Sequence, residues 1–148
     1  LQEKLGPINW QFGPGKKFDA DDLEAFLRLL PQKMEGMPIR HAIEARNASF
    51  RTPAFPALAR KYGVGVVVAG DSEFPEIQDP AGPFAYARIM GTAEAFKEGY
   101  SSADLDAWAA RAKAWAADGQ EVFLYVISGF KARNPAAAMA LIERILAR

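Results

Sequence analysis

TPAFPALARKYGVGVVVAG, residues 52–70, carries a helix, its stop and a buried strand in one passage. Thr52-Pro53 opens it with a capping side chain ahead of a proline, which needs no donor at the first helical position. Helical spacing runs from Pro53 to Tyr62, and Gly63 follows where a left-handed stop is expected. Val64–Ala69 is almost entirely β-branched or small, the composition of a strand covered on both faces. A helix that delivers the chain straight into such a strand predicts a parallel sheet with helical crossovers.

The same alternation extends in both directions. Strands are predicted at Leu5–Phe12, Arg40–Arg46, Val64–Gly70, Phe84–Met90 and Glu121–Ser128. Helices are predicted at Asp21–Leu30, Pro53–Tyr62, Ala103–Asp118 and Pro135–Ala147. Asp19 and Ser101 stand at capping positions, the latter with Asp104 three residues on, and Asn134-Pro135 repeats the Thr52-Pro53 signal. Gly119 ends the third helix as Gly63 ends the second. The fold class is α/β, with alternating β-α units and parallel strands. Pattern alone leaves both an open sheet and a closed barrel available. Residues 1–148 contain no repeat and no low-complexity linker and are read as a single domain. The one long connection, Asp71–Pro83, holds three prolines and is read as an irregular loop.

Composition narrows the chemistry. Of 148 residues half are hydrophobic, which is globular rather than disordered composition. Lys+Arg and Asp+Glu number 18 each, so bulk electrostatic attraction to nucleic acid or an anionic membrane is not expected. The absence of cysteine excludes disulfides, thiolate chemistry and iron–sulfur clusters within these residues, and one histidine excludes a multi-histidine metal site. No metal is expected, no cofactor is identified, no run approaches a membrane span, and the chain reads as cytoplasmic.

Polar residues on buried strands mark the candidate site. Alternation places Ala42, Glu44 and Arg46 on one face, and Phe84, Tyr86, Arg88 and Met90 on another single face. An ionised Glu44 or Arg46 in an apolar layer costs several kcal/mol unless paired or hydrated. The economical arrangement sets them at the carboxyl end of the strand, facing each other and a polar cavity. Gln11, Asp71, Arg88 and Ser128 lie at or near corresponding ends, the edge where α/β proteins build sites. Two arginines with carboxylates suit a small anionic ligand bearing carboxylate or phosphate. Arg46 and Arg88 are read as its contacts, with Gln11, Tyr86, Asp71 and Ser128 as further binding residues. Glu44 is the candidate general acid or base. A bare ion pair of Glu44 with Arg46 or Arg88, and a binding module without chemistry, are the competing readings.

Other motifs are read as structural. His41 falls on the opposite strand face from Glu44 and is taken as a satisfied structural histidine. Ser128 has no histidine–acid partner for a hydrolase triad. FGPGKKFD, residues 12–19, matches neither the P-loop nor the dinucleotide fingerprint and is read as a turn with solvated lysines. Trp108 and Trp115 share a helix stripe and are expected in the core.

LGPINWQF (5–12), RHAIEARNASF (40–50), YARIMG (86–91), GYSSADLDAWAARAKAWA (99–116) and VFLYVISGFKARNPAAA (122–138) together resemble the YecE-like family, the domain of unknown function numbered seventy-two. The resemblance spans nearly the whole chain. It implies a TIM-type (β/α)8 barrel with a pocket at the carboxyl strand ends, of which these residues supply the last five strands. It implies that Glu44 and Arg46 match an E-x-R pattern followed by Ser49 and Phe50, and that Tyr86 and Arg88 match a Y-x-R strand. The chain departs from the pattern at Met90, where many members have histidine, and at Ile127 and Ser128, where many have two asparagines. The family brings no established reaction. Five of eight strands would leave two open edges and an uncovered lumen face, so a remaining barrel half or self-association is expected.

Overall fold

The computed structural model describes residues 4–77 and 81–147. The strands of the main sheet are β1 (Ile8–Phe12), β4 (His41–Ala45), β5 (Gly65–Gly70), β6 (Phe84–Ile89) and β7 (Glu121–Val126). The helices are α1 (Ala20–Leu29), α2 (Ala54–Lys61), α3 (Ser102–Ala117) and α4 (Asn134–Leu146). All four strand pairings are parallel and the spatial order is β1-β4-β5-β6-β7. A sheet wound in sequence order, with crossovers of one hand, collects its helices on one face. The packing follows that rule. Ile43, Ala45 and Val66 pack with Leu23 and Leu27 of α1 and Phe55 and Ala59 of α2. Val68, Ala85, Ala87 and Ile89 pack with Leu105 and Trp108 of α3 and Leu141 of α4. The opposite face carries Ala42, Val67, Phe84 and Tyr86, with Phe123 against them. This is the parallel α/β sheet the alternation predicts, and its single helical face fits the barrel sector that the resemblance implies, with Ala85 and Ala87 beneath the helices and Phe84 and Tyr86 on the opposite side.

The caps explain most element ends. The Asp19 carboxylate accepts from the Asp22 amide, and the Ser101 hydroxyl accepts from the Asp104 amide at 3.2 Å. Gly63 and Gly119 take φ values of +64° and +81°. The two X-Pro signals act differently from expectation. Pro53 itself occupies the cap position of α2 with no side-chain hydrogen bond. Asn134 is the first residue of α4, and its amide accepts from Thr92 Oγ1 and donates to the Ser128 carbonyl instead of capping. Tertiary partners outcompete the local amide.

Every strand of the main sheet is shorter than predicted, β5 losing Val64 and β6 losing Met90. β1 starts at Ile8, where pairing with His41 begins, because Pro7 has no amide to donate. β4 stops at Ala45, one residue before Arg46. β7 stops at Val126, and Ser128 has turned into the left-handed region at φ +57°. Residues 33–38 form a hairpin not anticipated from sequence, β2 (Lys33–Met34) with β3 (Met37–Pro38), turning at Glu35 and Gly36 with φ of +49° and +82°. Asp71–Pro83 is a connection without strand or helix wherever it is described, and residues 78–80 lie outside the described residues.

Candidate functional site

Adjacent registers bring polar side chains from β1, β4 and β6 together on the concave face. Gln11 stands in register with Glu44. Glu44 has no exposed surface. Its Oε1 accepts from Arg46 Nε at 2.9 Å, and its Oε2 accepts from Arg88 Nη1 and from Asn9 Nδ2, the latter at 3.2 Å. Arg88 Nη1 also donates to Gln11 Oε1 at 3.1 Å. One carboxylate against two guanidiniums leaves a positive charge in surplus. A carboxylate so deeply buried is tolerated because both of its oxygens meet donors, two of the three being cationic.

Arg46 leaves this cluster and enters a cleft of about 350 Å3 at the carboxyl ends of the strands. Its guanidinium carbon lies 4.1 Å from the centroid of the Phe74 ring, a cation–π contact that restrains the group. Among the described residues its two terminal nitrogens have no protein partner, because Nε alone binds Glu44. Asp71, Ser72 and Glu73 from the end of β5 line the same cleft, with Met90 and Ser128 closing the far side. Asp71 is held from behind: Trp108 Nε1 donates to its Oδ2 at 2.7 Å.

The sequence-predicted residues therefore divide. Arg46, Asp71 and Ser128 share the cleft. Glu44, Arg88 and Gln11 form the hydrogen-bonded cluster beside it. Tyr86 belongs to neither: it lies deeper on the concave face, its ring 6.2 Å from Phe123 and 5.2 Å from Tyr125. Burial pushes its phenol upward from the ordinary value. His41 faces the helices, accepting from Trp10 Nε1 through Nδ1 and donating from Nε2 to the Pro31 carbonyl at 2.8 Å. Both ring nitrogens are thus used structurally.

Sequence reasoning missed three participants. Asn9 shares a strand face with Gln11, so its period was readable; its Oδ1 is buried without a partner among the described residues. Phe74 sits in an aperiodic loop and carried no signal. Trp108 was expected in the core and is buried there, yet its indole N–H reaches the strand end. No group of three or more potential metal ligands occurs among the described residues. No described helix is long and apolar enough to cross a membrane.

The family model described as protein of unknown function DUF72 matches residues 1–148. Crystal structures of a DUF72 family protein from Enterococcus faecalis V583, at 2.52 Å and 3.10 Å, superpose with TM-scores of 0.76 at 15% and 13% identity. Each covers 99% of this chain, which in turn covers 63% and 60% of those chains. A DUF72 family protein from Thermotoga maritima MSB8 gives a TM-score of 0.71 at 20% identity, covering 96% of this chain and 57% of its own. The chain spans about six tenths of the length of these relatives. No curated protein matches it.

Proposed function

The chain belongs to the DUF72 family, and from the geometry around Glu44 we propose that it supplies a binding site for a small anionic metabolite at the carboxyl strand ends of a barrel. Arg46 carries the proposal. Its Nε is pinned by Glu44 and the group is restrained by Phe74, which leaves two parallel donors on the cleft side for a carboxylate or phosphate. Glu44 is then a positioning residue, and Arg88 balances it. Preorganisation of this kind lowers the entropy that a flexible surface arginine would lose on binding.

Thermal-shift titration of the intact protein with inorganic phosphate, phosphate monoesters and small carboxylates tests the reading. A concentration-dependent rise in Tm, absent in Arg46→Gln, supports it. No response to any of these anions, or a response that Arg46→Gln leaves unchanged, overturns it.

The orphaned Asn9 Oδ1 beside Glu44 favours a second reading, an enzyme whose ligand reaches the lumen and exchanges a proton with Glu44. Glu44→Gln separates the two. Retained affinity with abolished turnover supports the enzyme, whereas weakened affinity with no turnover in wild type supports positioning alone.

A further inference from the structure

The cleft that receives Arg46 is not walled as a pure anion site would be. Asp71 and Glu73 are exposed and share it. The one guanidinium that enters the cleft already shares its charge with Glu44. A docked carboxylate or phosphate would neutralise what remains of Arg46 and leave two carboxylates facing the ligand uncompensated. Like charges at such range disfavour binding unless the ligand brings a cation of its own.

Asp71 is also built into place. Its Oδ2 accepts the Trp108 indole proton at 2.7 Å. Trp108 in turn packs so closely over Gly70 that a Cβ there would stand 2.3 Å from a ring carbon. Asp71 adopts φ +53° and Ser128, across the cleft, φ +57°. Glu35, in the β2–β3 turn, is the third non-glycine residue with positive φ among those described. Backbone that L residues rarely adopt is thus concentrated, outside one hairpin turn, at this cleft.

Resting on the reading that Arg46 holds the anionic group, we infer that the cleft takes a small zwitterion: a carboxylate or phosphate on Arg46 and a protonated amine on Asp71. Glu73 adds long-range attraction for the amine, and Ser72 and Ser128 line the cleft without charge. The cleft volume of about 350 Å3 suits a metabolite rather than a polymer segment.

Calorimetric titration of the intact protein with matched pairs tests the inference: ethyl phosphate against 2-aminoethyl phosphate, and propionate against 3-aminopropionate. The amino member of a pair is expected to bind about tenfold tighter, and the advantage should shrink as salt rises. Asp71→Asn should erase the difference, weakening the amino member while ethyl phosphate binds as tightly as before or more tightly. Trp108→Phe, which leaves the cleft lining intact and removes the donor behind Asp71, should reduce it in part, and Glu73→Gln should do so without touching the core. Equal affinities within both pairs, or an advantage that survives Asp71→Asn and Glu73→Gln, overturn the zwitterion and leave the anion site standing. Binding of none of the four compounds overturns both.

Discussion

Glu44 of β4 and Arg88 of β6 form an ion pair that passes over β5, the strand between them. Ala69 of β5 stands in register with Arg88, and its single methyl leaves the guanidinium room to fold back toward Glu44. The concave face is thereby tied across three strands, and Gln11 extends the tie to β1.

Removing the carboxylate should be costly. Glu44→Gln leaves Arg46 and Arg88 facing each other where a buried negative charge had held them, and breaking such a pair costs about 3 kcal/mol or more. Urea denaturation of the intact protein checks this, with the double variant Glu44→Gln/Arg88→Gln regaining part of the loss. A loss below about 0.5 kcal/mol would mean that water replaces the carboxylate at no cost.

Ala69→Leu should act on the same cluster from beneath. The added carbons occupy the space the Arg88 side chain crosses, and overpacking of this kind costs about 1–3 kcal/mol. Loss of the anion-induced Tm rise should accompany it. An unchanged rise would show that Arg46 is held by Glu44 and Phe74 without help from Arg88.

Two glycines should respond unequally to alanine. At Gly70 the new Cβ would sit 2.3 Å from the Trp108 ring, so the ring must move and its hydrogen bond to Asp71 must break. At Gly119, with φ +81° and nothing within 4 Å, backbone strain alone remains, about 1 kcal/mol. Gly70→Ala should cost at least twice as much and shift tryptophan emission; equal costs would mean that α3 slides freely on the sheet.

Acid stability should carry a contribution from Glu24. Its carboxylate accepts from Lys61 Nζ and the Tyr62 hydroxyl, both at 2.6 Å, joining α1 to the end of α2. The Lys61 hydrogen bond, then that of Tyr62, lower its pKa from 4.5 to about 2. The unfolded chain takes up this proton near pH 4.5 and the folded chain only near pH 2. The stabilisation is therefore complete above pH 4.5 and disappears as pH falls from 4.5 towards 2. Glu24→Gln should flatten the stability profile in that window and leave its neutral limb parallel to wild type.

Residues 1–148 expressed alone should self-associate. β1 and β7 are terminal strands of the sheet, and Val122 and Leu124 of β7 border an apolar groove of about 400 Å3 with Ala112, Ala116 and Ile145. Ile142 and Leu146 of α4 are exposed, as are Leu29 of α1 and Met34 of β2. Light scattering behind size exclusion should show mass rising with concentration, whereas a longer product carrying the remaining barrel units should be monodisperse. A compact monomer at all concentrations would mean that the concave face is closed without a partner.

Much of the site was legible because strand geometry is local. Glu44 and Arg88 announce themselves as charges on strands that should be buried, and period-two alternation places both on one face. What alternation cannot report is distance across strands. Nothing in the spacing says that Arg88 binds Glu44 while Tyr86, two residues before it, is sequestered among Phe123 and Tyr125. Asp71 and Ser128 were readable as strand-end polar residues, but nothing in their spacing announced the left-handed backbone that both adopt.

The sequence by itself determined the order of the five main-sheet strands and the four α-helices, which faces are apolar and where the helices stop, since periodicity, caps and glycine stops act within a few residues along the chain. The tertiary structure decided how the polar strand ends are shared out between a neutralised cluster and an open cleft. That division depends on register and curl: Arg46, one residue beyond β4, turns onto Phe74 of a distant loop, and Trp108 leaves the core far enough to fix Asp71. Such contacts join residues far apart in sequence, so no local pattern encodes them.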